Sequence, residues 1–243
     1  IIVRKLFDHA YAYIFQNTDN RIVFAIPYEH DFTLIGTTDV PYHDDVAQVA
    51  ISDEETQYLC DVTNDYFTRS ISPADVLSSY AGVRPLLADE HGNPAEVTRD
   101  YQLVLNQSGG APVLSIYGGK ITTYRRLAED AMSELAKVLP MSADAWTATQ
   151  ALPGGDIPNA DFDAYVHAQQ LAHPWLDAAL CRRYARLYGT HMDILLTDKQ
   201  SMDALGELLC PQLYAAELEY LRTHEWARSA EDVLWRRTKL GLY

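Results

Sequence analysis

The chain changes hydrophobic period at Leu152-Pro153-Gly154-Gly155-Asp156. Before this break, strand-like and helix-like stretches alternate; beyond it, almost every apolar residue recurs at helical spacing. No single regular architecture accommodates both patterns, so the sequence predicts a mixed α+β fold with an antiparallel sheet and flanking helices, followed by a small all-helical domain. Residues 1–140 form the first part, 141–156 a linker and 157–243 the helical part. The first residues, Ile1-Ile2-Val3-Arg4-Lys5, match neither a signal nor a transit peptide and read as a strand already under way.

Local signals refine this outline. Tyr11–Phe15 and Arg21–Ile26 are β-rich runs around the turn sequence Asn17-Thr18-Asp19-Asn20, predicting a hairpin, and Phe32–Gly36 follows as a third strand. Ser52 and Glu55 form a capping-box pattern before Tyr58, Leu59, Val62, Tyr66 and Phe67 at helical spacing. That helix should stop before Ser72-Pro73. Strand character returns at Val76–Val83, Glu96–Leu105 and Pro112–Tyr117, and a helix then runs through Leu127, Ala131, Leu135 and Val138 to Pro140. In the last part, helices are expected over Ala160–Gln170, Pro174–Tyr188, Gln212–Thr223 and Ala230–Lys239. Gly189 should cap one end and Ser229 with Asp232 should cap a start.

Composition excludes several classes. A formal charge of −15 is wrong for a nucleic-acid binder, which needs concentrated Lys and Arg. No apolar run is long enough to span a bilayer. Cys60, Cys181 and Cys210 lack CxxC spacing and an even count, so they read as three reduced thiols of a cytoplasmic protein. His224-Glu225 begins like HExxH, but Arg228 stands where the second histidine belongs. No metal site is predicted. There is no Gly-x-Ser-x-Gly elbow, P-loop or GxGxxG.

Three clusters can carry chemistry. Gly118-Gly119-Lys120 joins a strand to a helix beginning near Thr122 and Thr123. Glycines there let backbone approach a ligand, the helix start offers unpaired N–H groups, and Lys120 adds positive charge. A negatively charged or electron-rich ligand edge fits this turn, although a plain tight turn has the same sequence. Arg84 and Arg99 sit at neighbouring strand ends among apolar residues. Each needs an anion, either a ligand or a local carboxylate such as Asp89 or Asp100. Gly36-Thr37-Thr38-Asp39 ends a strand and reads as turn chemistry or a pocket floor. Tyr80, Tyr101 and Tyr117 read as core aromatics, with Tyr101 sharing the Arg99 face. Arg236-Arg237 reads as helix-end pairing with Glu231 or Asp232.

Taken in order, Gly36–Asp39, Tyr80-Ala81-Gly82-Val83-Arg84-Pro85-Leu86, Thr98-Arg99-Asp100-Tyr101, Gly118–Arg125, Leu152–Gly155 and Trp226–Lys239 resemble the FAD-dependent (aerobic) glycerol-3-phosphate dehydrogenases. These belong to the wider D-amino-acid-oxidase-like flavoproteins. The resemblance covers essentially the whole chain. It implies oxidation of glycerol 3-phosphate to dihydroxyacetone phosphate with FAD as hydride acceptor and quinone as the onward acceptor. It assigns the substrate site to Arg84 and Arg99, beside which the shared face places Tyr101, catalysis to Arg84 and Lys120, and flavin contacts to Gly118, Gly119, Lys120, Ile121 and Thr122. It also implies that residues 1–140 combine the substrate-domain sheet with a returning piece of the FAD domain. Peripheral attachment to the inner face of the cell membrane, with Arg236-Arg237 facing lipid phosphates, and a homodimer are compatible with it. In the family a Gly-Ser-His, whose histidine is the favoured base, precedes the strand that starts here at Ile1. With no GxGxxG either, the chain corresponds to a C-terminal portion, expected to bind FAD weakly and to be inactive alone. A glycerol-phosphate oxidase using oxygen and a non-catalytic assembly or membrane-docking module are the alternative readings.

Overall fold

The computed structural model describes residues 1–84, 100–141 and 144–243. Arg99, Asp89 and the expected strand start at Glu96 lie outside the described residues. The chain divides into two compact units, Ile1–Thr149 and Gln150–Tyr243, and the division falls within the 141–156 stretch.

In the first unit, five strands pair antiparallel in the order β2-β3-β4-β1-β5. They are β1 (Ile2–Arg4), β2 (Tyr13–Gln16), β3 (Ile22–Tyr28), β4 (Phe32–Gly36) and β5 (Val76–Ser78). The expected hairpin is β2–β3, with Phe15 opposite Val23 and Ile14 opposite Phe24. Because side chains alternate across a strand, Phe15, Val23, Ala25, Ile35 and Val3 share one face, and all are buried. Helix α1 (Asp53–Tyr66) covers that face with Leu59, Cys60 and Val62. Each fully buried large apolar side chain there contributes about 1.5–3 kcal/mol. The α1 capping box forms as expected, the Glu55 N–H donating to Ser52 Oγ (3.1 Å) and the Ser52 N–H to Glu55 Oε2 (3.0 Å). Strand β5 stops at Ser78, well short of Val83. Among the described residues its only partner is β1, which is three residues long and irregular in register.

The same unit holds a second hairpin, β6 (Tyr101–Asn106) with β7 (Val113–Gly118), pairing Tyr101 opposite Gly118 and Leu103 opposite Ile116. Helix α2 (Tyr124–Leu135), entered by a 3₁₀ turn over Ile121–Thr123, packs on the Tyr101 face. Tyr80 and Tyr117 are exposed, contrary to their reading as core aromatics. Tyr117 points away from α2 because it alternates with Gly118, and Tyr80 follows the end of β5.

The second unit packs α3 (Phe162–Ala172), α4 (Ala178–Tyr188), the short α5 (Met192–Leu195) and α6 (Ala215–His224) around Leu180, Cys181, Tyr184, Met192, Leu205 and Leu221. Carboxylate caps set two starts: Asp161 accepts from the Ala164 N–H and Asp177 from the Leu180 N–H, each at 3.0 Å. That cap starts α4 at Ala178 rather than Pro174. Gly189 ends α4 at positive φ, where a Cβ would strike the Gly154 carbonyl, so the loop around Gly154 can approach only a glycine. The unit is not purely helical. Strands β8 (Leu208–Cys210) and β9 (Leu213–Tyr214) form a small hairpin, which delays α6 to Ala215. The last expected helix is a π-helical turn, Asp232–Arg237, closed by the Thr238 N–H donating to Val233 O at 3.0 Å. Ser229 and Asp232 cap it reciprocally, and Arg236 pairs with both Glu231 and Asp232.

One polar cluster lies inside this helical core. Glu217 is fully buried, and both terminal nitrogens of Arg183 and the hydroxyl of Tyr188 donate to it. Burial, with the Glu217 charge beside it, pushes the Tyr188 hydroxyl far above its ordinary pKa.

Candidate functional site

Strand β7 ends in Gly118 and is followed by Gly119, both at positive φ (72° and 100°), a conformation costly for any residue with a Cβ. At Gly119 a Cβ would also stand 3.2 Å from Leu127 Cδ1, so the second glycine allows the hairpin and α2 to pack closely. Chain direction then reverses, and Gly119, Lys120, Ile121 and Thr122 are all exposed. Thr123 closes the turn: its hydroxyl donates to Lys120 O (3.0 Å) and accepts from the Lys120 N–H (3.4 Å). The first-turn N–H groups at Ile121 and Thr122 have no intrahelical acceptor by the geometry of a helix start. An exposed glycine backbone, a helix start and one ammonium together have the chemistry that could hold the electron-rich edge of a cofactor such as a flavin.

Arg84 lies elsewhere in the same unit, after the end of β5. Its Nη1 donates to Asp39 Oδ2 at 2.8 Å, and both side chains are about half exposed. Two motifs 45 residues apart thus meet, and among the described residues the anion facing Arg84 is Asp39. The segment after β4 is itself anchored. The Thr38 hydroxyl donates to Glu55 Oε1 at 2.5 Å, and Glu55 is locked in the α1 capping box. Spacing along the sequence could not reveal either contact, because both cross between elements.

The Tyr101 hydroxyl donates to Asp130 Oδ2 on α2 at 2.6 Å, and that bond, foremost, raises its pKa. Among the described residues, no hydrogen bond or ion pair joins the Arg84–Asp39 pair to the Lys120 turn. No group of three His, Cys, Asp or Glu side chains is placed to hold a metal among the described residues. In the helical unit, a cleft of about 400 Å³ is lined by Leu209, Cys210, Leu213 and Val233, with Arg222 and Arg228 also lining it. The sequence gives no sign that these residues meet, since the wall is assembled from separate segments.

Comparison with known proteins gives a consistent picture. Residues 1–125 match the family described as FAD dependent oxidoreductase, and residues 145–243 match the C-terminal domain of alpha-glycerophosphate oxidase. Over its whole length the chain is 50% identical to a glycerol-3-phosphate dehydrogenase of Pseudomonas aeruginosa. It is 44% identical to a D-erythritol 1-phosphate dehydrogenase of Brucella abortus and, likewise, to an aerobic glycerol-3-phosphate dehydrogenase of Escherichia coli. In each case it spans 48% of the relative, about half the length of the curated proteins it matches. With more than half of its residues matched by the first family, the chain belongs to the FAD-dependent oxidoreductases.

Proposed function

We infer that this chain is the substrate-domain and helical-tail portion of a flavoprotein that oxidises sn-glycerol 3-phosphate to dihydroxyacetone phosphate. The observation carrying this reading is the glycine cradle with its lysine, in a chain whose full-length relatives are named for dehydrogenating phosphorylated polyols. Bound FAD supplies the acceptor for the hydride leaving the substrate's C2. The chain's own residues bind and orient. Arg84 and Arg99 bind the phosphate, for which the planar guanidinium fork is suited. Lys120 and the N–H groups beside it favour negative charge on the flavin edge that Gly118, Gly119, Ile121 and Thr122 line. Tyr101, its hydroxyl held by Asp130, offers its ring to the substrate.

Electrons pass to quinone in this reading, with peripheral attachment to the inner membrane face and a homodimer as its physical setting. No helix among the described residues is long and apolar enough to cross a membrane. The match of residues 145–243 to an oxidase domain favours oxygen as a second acceptor, and the Brucella relative favours a four-carbon polyol phosphate as a second substrate. The test is dye reduction by the full-length flavoprotein with glycerol 3-phosphate and with D-erythritol 1-phosphate, alongside oxygen-dependent peroxide release. Preference for glycerol 3-phosphate without peroxide supports the reading. Absence of activity on both substrates overturns it.

A further inference from the structure

We propose that Asp39 is a positioning residue for the phosphate site, holding the guanidinium of Arg84 in the orientation that receives the substrate. The proposal rests on the assignment of Arg84 to phosphate made above. Three observations support it. First, Asp39 engages Arg84 through Nη1. An arginine has five N–H donors, and this bond uses one of them. Second, Asp39 does not hang on a free loop: Thr38 next to it is fastened to Glu55, which the α1 capping box holds. The order of support is therefore Ser52, Glu55, Thr38, Asp39, Arg84, a chain of contacts running from a helix start to the cation. Third, Arg84 lies beyond the β5 ladder, and among the described residues it is the side-chain bond to Asp39 that holds its guanidinium. A long cation that must otherwise be ordered at the moment of binding loses affinity through that ordering, and a fixed carboxylate removes the loss in advance. The same contact as a stability device would be weak, since both partners are half exposed.

The experiment uses the full-length, FAD-loaded protein with Asp39→Ala, Asp39→Asn and Arg84→Ala. Readouts are kcat and KM for glycerol 3-phosphate, the inhibition constant of orthophosphate, flavin content and melting temperature. Asp39→Ala should raise KM and the orthophosphate constant together by about tenfold, with kcat changed by less than about threefold. Asp39→Asn, which keeps an accepting oxygen, should recover part of that loss. Melting temperature and flavin content should stay near wild type, which separates positioning from a structural role. If Asp39→Asn and Asp39→Ala leave both constants within twofold while Arg84→Ala raises them, the Asp39 proposal fails and the phosphate site stands. A lower KM in Asp39→Ala also overturns it, because Asp39 would then be a competing anion. Should Arg84→Ala itself change neither constant, the phosphate assignment fails and takes the proposal with it. A collapse of both Asp39 variants in melting temperature would make the contact structural and likewise overturn the proposal.

Discussion

Truncating Glu217 to alanine should destabilise the helical unit far more than any exposed charge does. Its carboxylate has no solvent exposure, and the Arg183 side chain it pairs with is only 14% exposed. Arg183 donates through Nη1 at 2.8 Å and through Nη2, and the Tyr188 hydroxyl donates at 2.5 Å. After truncation, Arg183 keeps Gln212 O at 2.6 Å as its remaining acceptor and Tyr188 loses its own. Breaking one partner out of a buried pair costs about 3–5 kcal/mol, because the other charge stays buried without compensation. At about 4 kcal/mol, a cooperative unit of about 100 residues should lose roughly 15–30 °C of melting temperature. Tryptophan fluorescence during thermal or urea unfolding reads this unit preferentially, since Trp175, Trp226 and Trp235 lie in it and only Trp146 lies outside. Glu219→Gln is the control, as its pair with Arg222 at 3.7 Å is exposed and should contribute less than about 0.5 kcal/mol. A loss below about 1 kcal/mol in Glu217→Ala would refute the reasoning, since no buried cation can be abandoned that cheaply. Glu217→Leu with Arg183→Met should restore most of the stability, the cost lying in the orphaned charge rather than in the absence of the pair.

Arg84→Ala in the full-length flavoprotein should lower kcat/KM for glycerol 3-phosphate about 10- to 100-fold, the value of a charge-assisted phosphate contact; steady-state dye reduction measures it. Gly119→Ala forces a Cβ into positive φ and toward Leu127, so it should destabilise the β6–β7 hairpin by about 1–2 kcal/mol and lower flavin retention, both visible in unfolding and absorbance. The Asp232 carboxyl is held below its ordinary 3.8 by the Arg228 backbone N–H first, then by Arg236 and Ser229. Its folded pKa being depressed, its stabilisation is present above about pH 3.8 and lost as pH falls toward the lower folded value. Asp232→Asn should therefore flatten the acid limb of a fluorescence-monitored pH titration. The isolated chain mixed with FAD and glycerol 3-phosphate should reduce no dye; turnover at a full-length rate would show that these residues suffice for catalysis.

Local chemistry was readable without coordinates wherever a residue's partner lies within one element or one turn. The Ser52–Glu55 and Ser229–Asp232 caps, the β2–β3 hairpin, α1 and the Gly118-Gly119 turn all follow from short-range steric and hydrogen-bonding rules, and the structure forms each of them. The break between a strand-bearing part and a mostly helical one follows from a change of hydrophobic period for the same reason. What needed tertiary structure are contacts between distant segments. Asp39 facing Arg84, Thr38 fastened to Glu55, and Tyr101 tied to Asp130 have no signature in spacing, because sheet order and helix packing decide which strand ends meet. The exposure of Tyr117 and the early end of β5 were likewise decided by neighbours, since a side chain is buried only where another element covers its face and a strand lasts only as long as its partner. Glu217 is the sharpest case. As a letter in the sequence it is one more acid in a strongly acidic chain, and only the packing of α4 against α6 turns it into a charge sealed away from water.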